Sequence, residues 1–381
     1  MTRGQKRLRA TLALLGTIIG AGVFGVPAMM GAWGVVMGTV GFGAVTLLVL
    51  CVHLLLAEAV STYHPDARLA GLAHHWLGSW GGTAAGMAQT LQTMGSNLAY
   101  LILGGEFLAA LAWMLGVHLP PHAWQTIFWG LGVVVVLIGL GWMARIEAYL
   151  TWMLVGVMLV MIFVLTGRMD LSLVAQLPVH WTFEPYGIFL FSLFGMNIIP
   201  EMEEITSGNA ADLRVSVIRG TLVAALLTYA FGVSAWLASS GMLGRQVTDL
   251  IALLPPSLMV IVPLFGFLAV ATSYFTTAYD LDAMFRVDFQ FAPWLARIVT
   301  LGVPFALLFL TARDFLSVIG LVGSIFSAAV AVVCVLVGRA ALRRSRRAAF
   351  GTVAWLQQEL LPWTIIMLLA IGAAAWLLTS V

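Results

Sequence analysis

Glycine, proline and asparagine interrupt two segments that are otherwise apolar enough to cross a membrane. The first interruption lies in the run 16–27, and the second in the run 189–200, where Gly195 and Asn197 precede a proline. Gly and Pro cost about 1 and 3 kcal/mol each in a helix relative to Ala, so each run predicts a broken helix. Non-helical backbone at membrane depth is tolerated only where it is buried in protein or lines a cavity. The two runs therefore predict a binding site inside the membrane.

Helix breaks can bind a ligand through backbone atoms alone. The N-terminal end of a half-helix presents free N–H groups and a positive dipole end, which suit a carboxylate. The free carbonyl groups of the preceding half-helix suit an ammonium group or an alkali cation. A free α-amino acid carries both charged groups, so paired breaks match it without any charged side chain. The alternative for either run is an ordinary proline kink, in which neighbouring helices satisfy the freed backbone groups.

The composition places both runs in an all-α membrane protein. Of the 381 residues, 61% are hydrophobic and 9% are charged, whereas a soluble domain carries about 25% charged residues. Apolar segments long enough for a ~30 Å hydrocarbon core predict about eleven transmembrane helices, at 11–32, 35–57, 82–115, 124–142, 146–167, 186–206, 215–240, 254–284, 292–311, 315–338 and 358–379. Cys51 and Cys334 lie within apolar segments, which favours buried packing residues. No basic cluster suits a nucleic-acid partner.

The charge distribution predicts the orientation. With the N-terminus inside, 15 of the 18 Lys and Arg residues fall on the inner side and three on the outer side, as the positive-inside rule requires. The second break lies five spans after the first, so the broken helices run in opposite directions, as in an inverted five-plus-five repeat. The predicted divisions are a cytoplasmic N-terminus (1–10), a first repeat (11–167), an external loop (168–185), a second repeat (186–338), a basic cytoplasmic link (339–357) and a last span with an external C-terminus (358–381).

Three motifs resemble one superfamily of transporters. The run GTIIGAGVFGVP at 16–27 resembles the first helix of the amino acid–polyamine–organocation superfamily, and is most similar to the hydroxy/aromatic amino acid permease family, which includes the tryptophan/tyrosine permeases. IPEM at 199–202, continuing into LRVSVIRG at 213–220, looks like the sixth helix of that family. ATSY at 271–274, with DAMFR at 282–286, looks like its eighth helix. The resemblance covers nearly the whole chain and implies a leucine-transporter-type fold with helices 1 and 6 broken near 16–22 and 191–200.

The resemblance also implies roles for individual residues. The N–H groups of Ala21 and Gly22 would bind the substrate carboxylate, and the carbonyl groups of Thr17 and Ile18 would bind its ammonium group. The other predicted substrate-binding residues are Gly20, Asn97, Tyr100, Phe191, Ser192, Leu193, Phe194 and Gly195. One aromatic side chain of the sixth helix is expected to act as a gate. The alternative for the aromatic residues in this set is packing within the bundle.

Two coupling ions are consistent with the sequence. The resemblance implies a sodium site of backbone and hydroxyl oxygens, from the carbonyl groups of Gly16, Ile19 and Ala269 and the hydroxyl groups of Thr272 and Ser273. Such oxygens are suitable ligands for a hard cation, although the hydroxyl groups could instead bond their own helix. The family resemblance favours protons, for which Glu106 is the clearest carboxylate within a span. No cofactor is expected apart from a bound Na⁺.

The residues around the breaks predict a neutral substrate. Neither break carries a charged side chain, and its neighbours include Ile18, Leu193 and Met196. Burying an unpaired charge there would be costly, so an aromatic or large aliphatic amino acid is expected, and a cationic one only if Glu106 reaches the site. We therefore expect a cation-coupled amino acid symporter of the plasma or inner membrane that works by alternating access. A binding-only membrane receptor is the alternative, and no catalytic motif favours an enzyme.

Overall fold

The described part of the chain is entirely helical. A computed structural model describes residues 2–63, 68–138, 143–176, 182–311, 314–344 and 359–380, and within these ranges it contains no β-strand. The helices are α1 (Arg3–Ile18), α2 (Val26–Trp33), α3 (Val35–Thr62), α4 (Leu69–Leu77), α5 (Ser79–Trp113), α6 (Pro121–Ile138), α7 (Met143–Thr166), α8 (Glu184–Ser192), α9 (Ile199–Ile205), α10 (Ala210–Ala238), α11 (Ile261–Val287), α12 (Pro293–Arg297), α13 (Val303–Leu310), α14 (Phe315–Leu321), α15 (Ala328–Arg344) and α16 (Leu360–Ser380).

Most of these helices are arranged as membrane spans. In the described ranges, nine continuous segments are long and apolar enough to cross a membrane, and α1 with the segment after it forms a tenth, bent by 48°. The predicted sixth span contains no single helix long enough to cross a membrane, because it is divided into α8 of nine residues and α9 of seven residues. Turns of π-helix, Ile298–Gly302 and Val322–Ser327, join α12 to α13 and α14 to α15. The all-α fold with interrupted first and sixth spans is therefore as predicted.

The longest helix, α5, is central to the bundle. Its 35 residues give a length of about 52 Å at ~1.5 Å per residue, so α5 exceeds the ~30 Å hydrocarbon core and must tilt or protrude. It packs against α4, α6 and α11. One face of α5 and one face of α11 consequently border the interior of the bundle.

Ion pairs mark the two ends of the bundle. We call the end where α1 begins the N-side and the opposite end the far side. On the N-side, Arg3 and Arg7 both bind Asp212 at the start of α10, with Arg3 Nε 2.7 Å from the carboxylate. On the far side, four residues form the far-side cluster: Arg245, Glu184, Asp314 and Ser317. The guanidinium of Arg245 donates to both oxygens of Glu184 at 3.0 and 2.8 Å.

Two predicted boundaries need correction. The predicted basic link begins at 339, but α15 continues as a helix to Arg344. Interactions with the last span explain this extension, since Arg339 lies 4.4 Å from the ring centre of Trp363 and Arg343 bonds Glu359 at 2.9 Å. The rest of the predicted link, residues 345–357, lies outside the described residues. The predicted eighth span starts at 254, whereas the continuous helix α11 starts at Ile261, after two short 3-10 turns.

Candidate functional site

The first break separates α1 from a short 3-10 turn. Helix α1 ends at Ile18, Gly20 adopts an extended conformation, and the turn Ala21–Gly25 leads into α2. The N–H of Gly20 donates to the carbonyl of Ile18 at 2.9 Å, rather than to that of Gly16 as in a continued helix. The last turn of α1 therefore has a carbonyl group, that of Gly16, without its usual helical donor.

The second break has the same form. Helix α8 ends at Ser192, and a 3-10 turn of three residues precedes α9, which carries Pro200 in its first turn. Proline fits this position because the N–H that it lacks has no helical acceptor there. The break therefore lies five to seven residues before the proline, between Leu193 and Gly195.

The two breaks are in direct contact. A Cβ atom on Gly22 would lie 2.5 Å from Ser192 Cα, and one on Gly195 would lie 2.9 Å from Ile18 Cγ1. Neither distance is compatible with a side chain, so glycine is what allows the two interrupted segments to cross. The four residues just named are buried in this crossing, and their side chains do not line an open space.

A polar cavity of about 110 Å³ lies beside the crossing, and we call it the central cavity. Its size is comparable to an apolar cavity of ~150 Å³ that accepts benzene. The lining residues are Gly16, Thr17, Gln92, Ser96, Tyr100, Leu150, Thr151, Leu154, Phe194, Asn197, Thr272, Ser273, Thr276 and Thr277. Eight of these residues carry hydroxyl groups, two carry amides, and none of the described lining residues carries a charge. The cavity is thus neutral and rich in hydrogen-bonding groups.

The predicted site residues are divided between the cavity and the surrounding packing. Those that line the cavity are Gly16, Thr17, Tyr100, Phe194, Thr272 and Ser273. Those that do not are Ile18, Ile19, Gly20, Ala21, Gly22, Asn97, Phe191, Ser192, Leu193, Gly195 and Ala269. Three of the second group touch residues that line the cavity: Asn97 accepts from Thr277 at 2.6 Å, the ring centre of Phe191 lies 6.4 Å from that of Tyr100, and Gly20 faces Ser273.

The lining is more polar than predicted. Leu193 and Ile18, which suggested an apolar pocket, point into the protein core and are 0% and 3% exposed. The residues that sequence reasoning missed are Gln92, Ser96, Leu150, Thr151, Leu154, Asn197, Thr276 and Thr277. The spacing of Gln92 and Ser96 could have identified them, because these two residues and Tyr100 lie four residues apart along α5. Residues at that spacing share one face of a helix.

The α11 hydroxyl groups bond their own helix, one of the two alternatives considered. Thr272 Oγ1 donates to the carbonyls of Leu268 and Ala269, both at 3.0 Å, and Ser273 Oγ donates to that of Ala269 at 2.9 Å. Each hydroxyl oxygen still has lone pairs that can accept a cation. The Ala269 carbonyl accepts from both hydroxyl groups, and Ala269 does not line the cavity. Of the predicted sodium ligands, Gly16, Thr272 and Ser273 line the same cavity.

Glu106 lies in a different cavity. It lines a cleft near the far-side end of α5 that has no lining residue in common with the central cavity, as far as the described residues go. The condition under which a cationic amino acid was expected, that Glu106 reaches the site, is therefore not met.

Further cavities lie on the N-side of the central cavity, whereas aromatic side chains pack together on its far side. Asn197 lines the central cavity, a small cavity of about 20 Å³ and a cavity of about 350 Å³ on the N-side, which we call the N-side cavity. On the far side, Phe24 packs against Phe107 and Phe265 with ring centres 4.9 and 5.7 Å apart. The far-side cluster lies beyond these rings. Asn197 therefore lies between the central cavity and the N-side cavity.

The sequence also matches a known family over almost its full length. The match to the tryptophan/tyrosine permease family spans residues 3–376. The chain belongs to the tryptophan/tyrosine permease family. Among curated proteins, none matches the sequence. As a permease, the protein is a membrane transporter and not an enzyme.

Solved transporters share the fold of this permease. MhsT, solved in complex with L-phenylalanine, superposes with a TM-score of 0.68 at 15% identity, over 96% of this chain and 98% of MhsT. Mhp1, a nucleobase-cation-symport-1 family transporter solved with bromovinylhydantoin, superposes with a TM-score of 0.66 at 14% identity, over 97% of this chain and 90% of Mhp1. A manganese transporter from Eremococcus coleocola superposes with a TM-score of 0.63 at 13% identity, over 96% of this chain and 84% of that transporter. The permease therefore has the leucine-transporter-type fold that its motifs predicted.

Proposed function

We propose that the permease is a cation-coupled symporter of a neutral amino acid, working by alternating access in the plasma or inner membrane. The observation that carries this proposal is the neutral, hydroxyl-rich central cavity beside the crossing of two helix breaks. Backbone groups at such breaks complement a carboxylate and an ammonium group. Membership of the tryptophan/tyrosine permease family, and the L-phenylalanine bound by MhsT, support an amino acid as the substrate.

The lining of the central cavity favours an aromatic side chain that carries a polar atom. Phe194 and Tyr100 supply rings, and the cavity volume of about 110 Å³ is on the scale of one aromatic group. A large aliphatic side chain would leave the hydroxyl groups of Ser96 and Thr276 facing an apolar surface, and each buried unsatisfied polar group costs about 1–3 kcal/mol. A charged side chain would meet no opposite charge there.

Sodium is the coupling ion that the cavity favours. Gly16, whose carbonyl lacks its helical donor, lines the same cavity as Thr272 and Ser273. Neutral oxygen ligands suit a small hard cation. The carboxylate proposed for proton coupling, Glu106, lies in a separate cleft. Protons remain the outcome that the experiment below distinguishes from sodium.

The conformation corresponds to a state open towards the N-side. The N-side cavity meets the central cavity at Asn197, while the far-side cluster ties α8 and α14 to the segment that carries Arg245. With the N-side in the cytoplasm, as the charge distribution predicts, this is an inward-facing state. Transport would then require the far-side cluster to open and the route past Asn197 to close.

Uptake into proteoliposomes tests the proposal. Radiolabelled tyrosine, phenylalanine, leucine and lysine would be supplied with sodium and pH gradients imposed separately. We expect accumulation of the aromatic amino acids driven by the sodium gradient, and none of lysine. Accumulation driven solely by the pH gradient would contradict sodium coupling. Specific binding without accumulation under either gradient would contradict transport and favour a receptor.

A further inference from the structure

The cleft that contains Glu106 is a second cavity suited to a small molecule. We call it the Glu106 cleft. It has a volume of about 420 Å³ and lies between the far-side end of α5, the start of α6 and the segment 248–259. That volume is within the ~300–1,000 Å³ range of ligand pockets. The central cavity and the Glu106 cleft have separate linings in the described chain, so a ligand here would not occupy the proposed transport site.

Apolar and aromatic side chains form the walls of the Glu106 cleft. Trp113 and Trp124 come from its two helices, and Ile251 comes from the loop segment. The polar lining residues are Glu106, Gln125 and Thr248, and the described lining contains no Lys, Arg or His. The cleft therefore combines a large apolar surface with a single acidic group.

One oxygen of the Glu106 carboxylate, Oε2, is buried without a hydrogen-bond partner in the described part of the chain. The amide of Gln125 is bonded through Oε1 to His122 Nδ1 at 2.9 Å, and Arg245 on the same side of the bundle is bound within the far-side cluster. A buried carboxylate without a partner costs several kcal/mol unless a cation or a proton neutralises it.

We propose that the Glu106 cleft binds a small organic ammonium ion with an aromatic body. The ammonium group would pair with the Glu106 carboxylate, and the aromatic body would pack against Trp113 and Trp124. Indole rings also attract cations directly, by about 0.5–2 kcal/mol. The ammonium of a phospholipid fits less well, because the adjacent phosphate would enter a cleft whose described lining offers it no cation.

Calorimetric titration of the purified permease in non-ionic detergent tests this site. The probes are phenethylammonium and its uncharged analogue phenethyl alcohol. We expect the ammonium to bind about tenfold more tightly than the alcohol, and Glu106→Gln to abolish the difference. The matched control, Asp170→Asn, removes a carboxylate from the same side that does not line the cleft and should keep the preference.

A second variant separates loss of charge from loss of fold. Ala109→Phe would fill the cleft while keeping Glu106, so both probes should bind more weakly. Equal binding of the two probes to the wild type, or an unchanged preference in Glu106→Gln, would overturn the proposal. Binding found solely with phosphatidylethanolamine in nanodiscs, and not with phenethylammonium in detergent, would overturn the assignment to a soluble amine. None of these measurements depends on transport, so they stand apart from the uptake experiment.

Discussion

At the scale of single residues, hydroxyl groups carry most of the chemistry of the central cavity. Thr272 and Ser273 donate their protons to the carbonyls of α11, so the hydroxyl oxygens face the cavity as acceptors. This geometry makes each of them suitable both for a cation and for the ammonium group of a substrate. Replacing either residue with alanine therefore removes a candidate ligand oxygen while keeping a residue that favours a helix.

Thr272→Ala should weaken sodium-driven uptake by about tenfold at subsaturating sodium, since a bond to a charged group is worth about 1.5–3 kcal/mol. The measurement is the initial rate of uptake in proteoliposomes as a function of sodium concentration. Thr46→Ala is the matched control, because Thr46 makes the same bond to its own helix at 2.8 Å but lines no cavity described here. A normal sodium dependence in Thr272→Ala would contradict the proposed ion site.

The sequence predicted the backbone of the site better than its side chains. The glycine and proline runs have an intrinsic cost in a helix, so the breaks could be located from composition alone. Which side chains border the cavity depends on the rotation of each helix, and that is set by packing between helices distant in sequence. Leu193 was therefore assigned to the site although it is buried in the core, whereas Asn197, four residues further on, was missed.

At the scale of the elements, the crossing of the two broken helices is the feature most sensitive to substitution. Gly22→Ala would place a methyl group 2.5 Å from Ser192 Cα, and a backbone atom cannot move aside as a side chain can. Overpacking of this kind costs about 1–3 kcal/mol. We expect a lower melting temperature and a loss of at least about tenfold in uptake, because the breaks would be pushed apart.

Gly43→Ala provides the comparison for that variant. Gly43 lies within α3, and a methyl group there would meet nothing within 4 Å. The replacement should raise the melting temperature slightly, since Ala is favoured over Gly in a helix by up to ~1 kcal/mol. Equal effects of the two substitutions on uptake would mean that the contact between the breaks is unimportant.

The elements themselves were largely predictable, with exceptions at their ends. Apolar runs of ~20 residues predict spans because the bilayer requires that length. Where a helix ends depends on contacts with distant residues, which hydropathy does not describe. The extension of α15 to Arg344 is an example, because its last two turns contact Trp363 and Glu359. The sixth span was predicted as a broken helix, and its division into α8 and α9 reflects the cost of Gly195 and Pro200 within a helix.

At the scale of the whole molecule, the far-side cluster links three segments at the far-side end of the bundle. Arg245 bonds Glu184 at the start of α8, and Asp314 and Ser317 at the start of α14. Arg245→Gln should increase hydrogen exchange in the segment 247–253 and shift the permease towards a state open on the far side. Arg343→Gln, which removes another exposed Arg–Glu pair, should leave exchange in that segment unchanged.

Acid should weaken the far-side cluster. Burial raises the pKa of Asp314. The hydrogen bonds and charge of Arg245 and the hydrogen bonds from Ser317 lower it by more, so the pKa of Asp314 lies below its ordinary value. A carboxyl group with a lowered pKa stabilises the folded state fully above the ordinary Asp value of ~3.9, and this contribution is lost as the pH falls through the folded-state pKa.

The corresponding measurement compares wild type with Asp314→Asn, which keeps the helix cap at Ser317 but not the charge. We expect the wild type to melt at a higher temperature at neutral pH, and the difference to shrink as the pH falls below about 4. A difference that does not change with pH would contradict a role for the charge.

The bonds from Asp212 to Arg3 and Arg7 tie the start of α1 to α10, and Gly220 of α10 packs on Leu14 of α1. The start of α1 is therefore anchored to α10, and we expect the two helices to move as one unit if α1 tilts at Ile19 and Gly20. A conformational change at the first break would then displace two helices rather than one. We expect Asp212→Asn to uncouple them, which would appear as a change in the turnover rate at saturating substrate with substrate affinity unaltered.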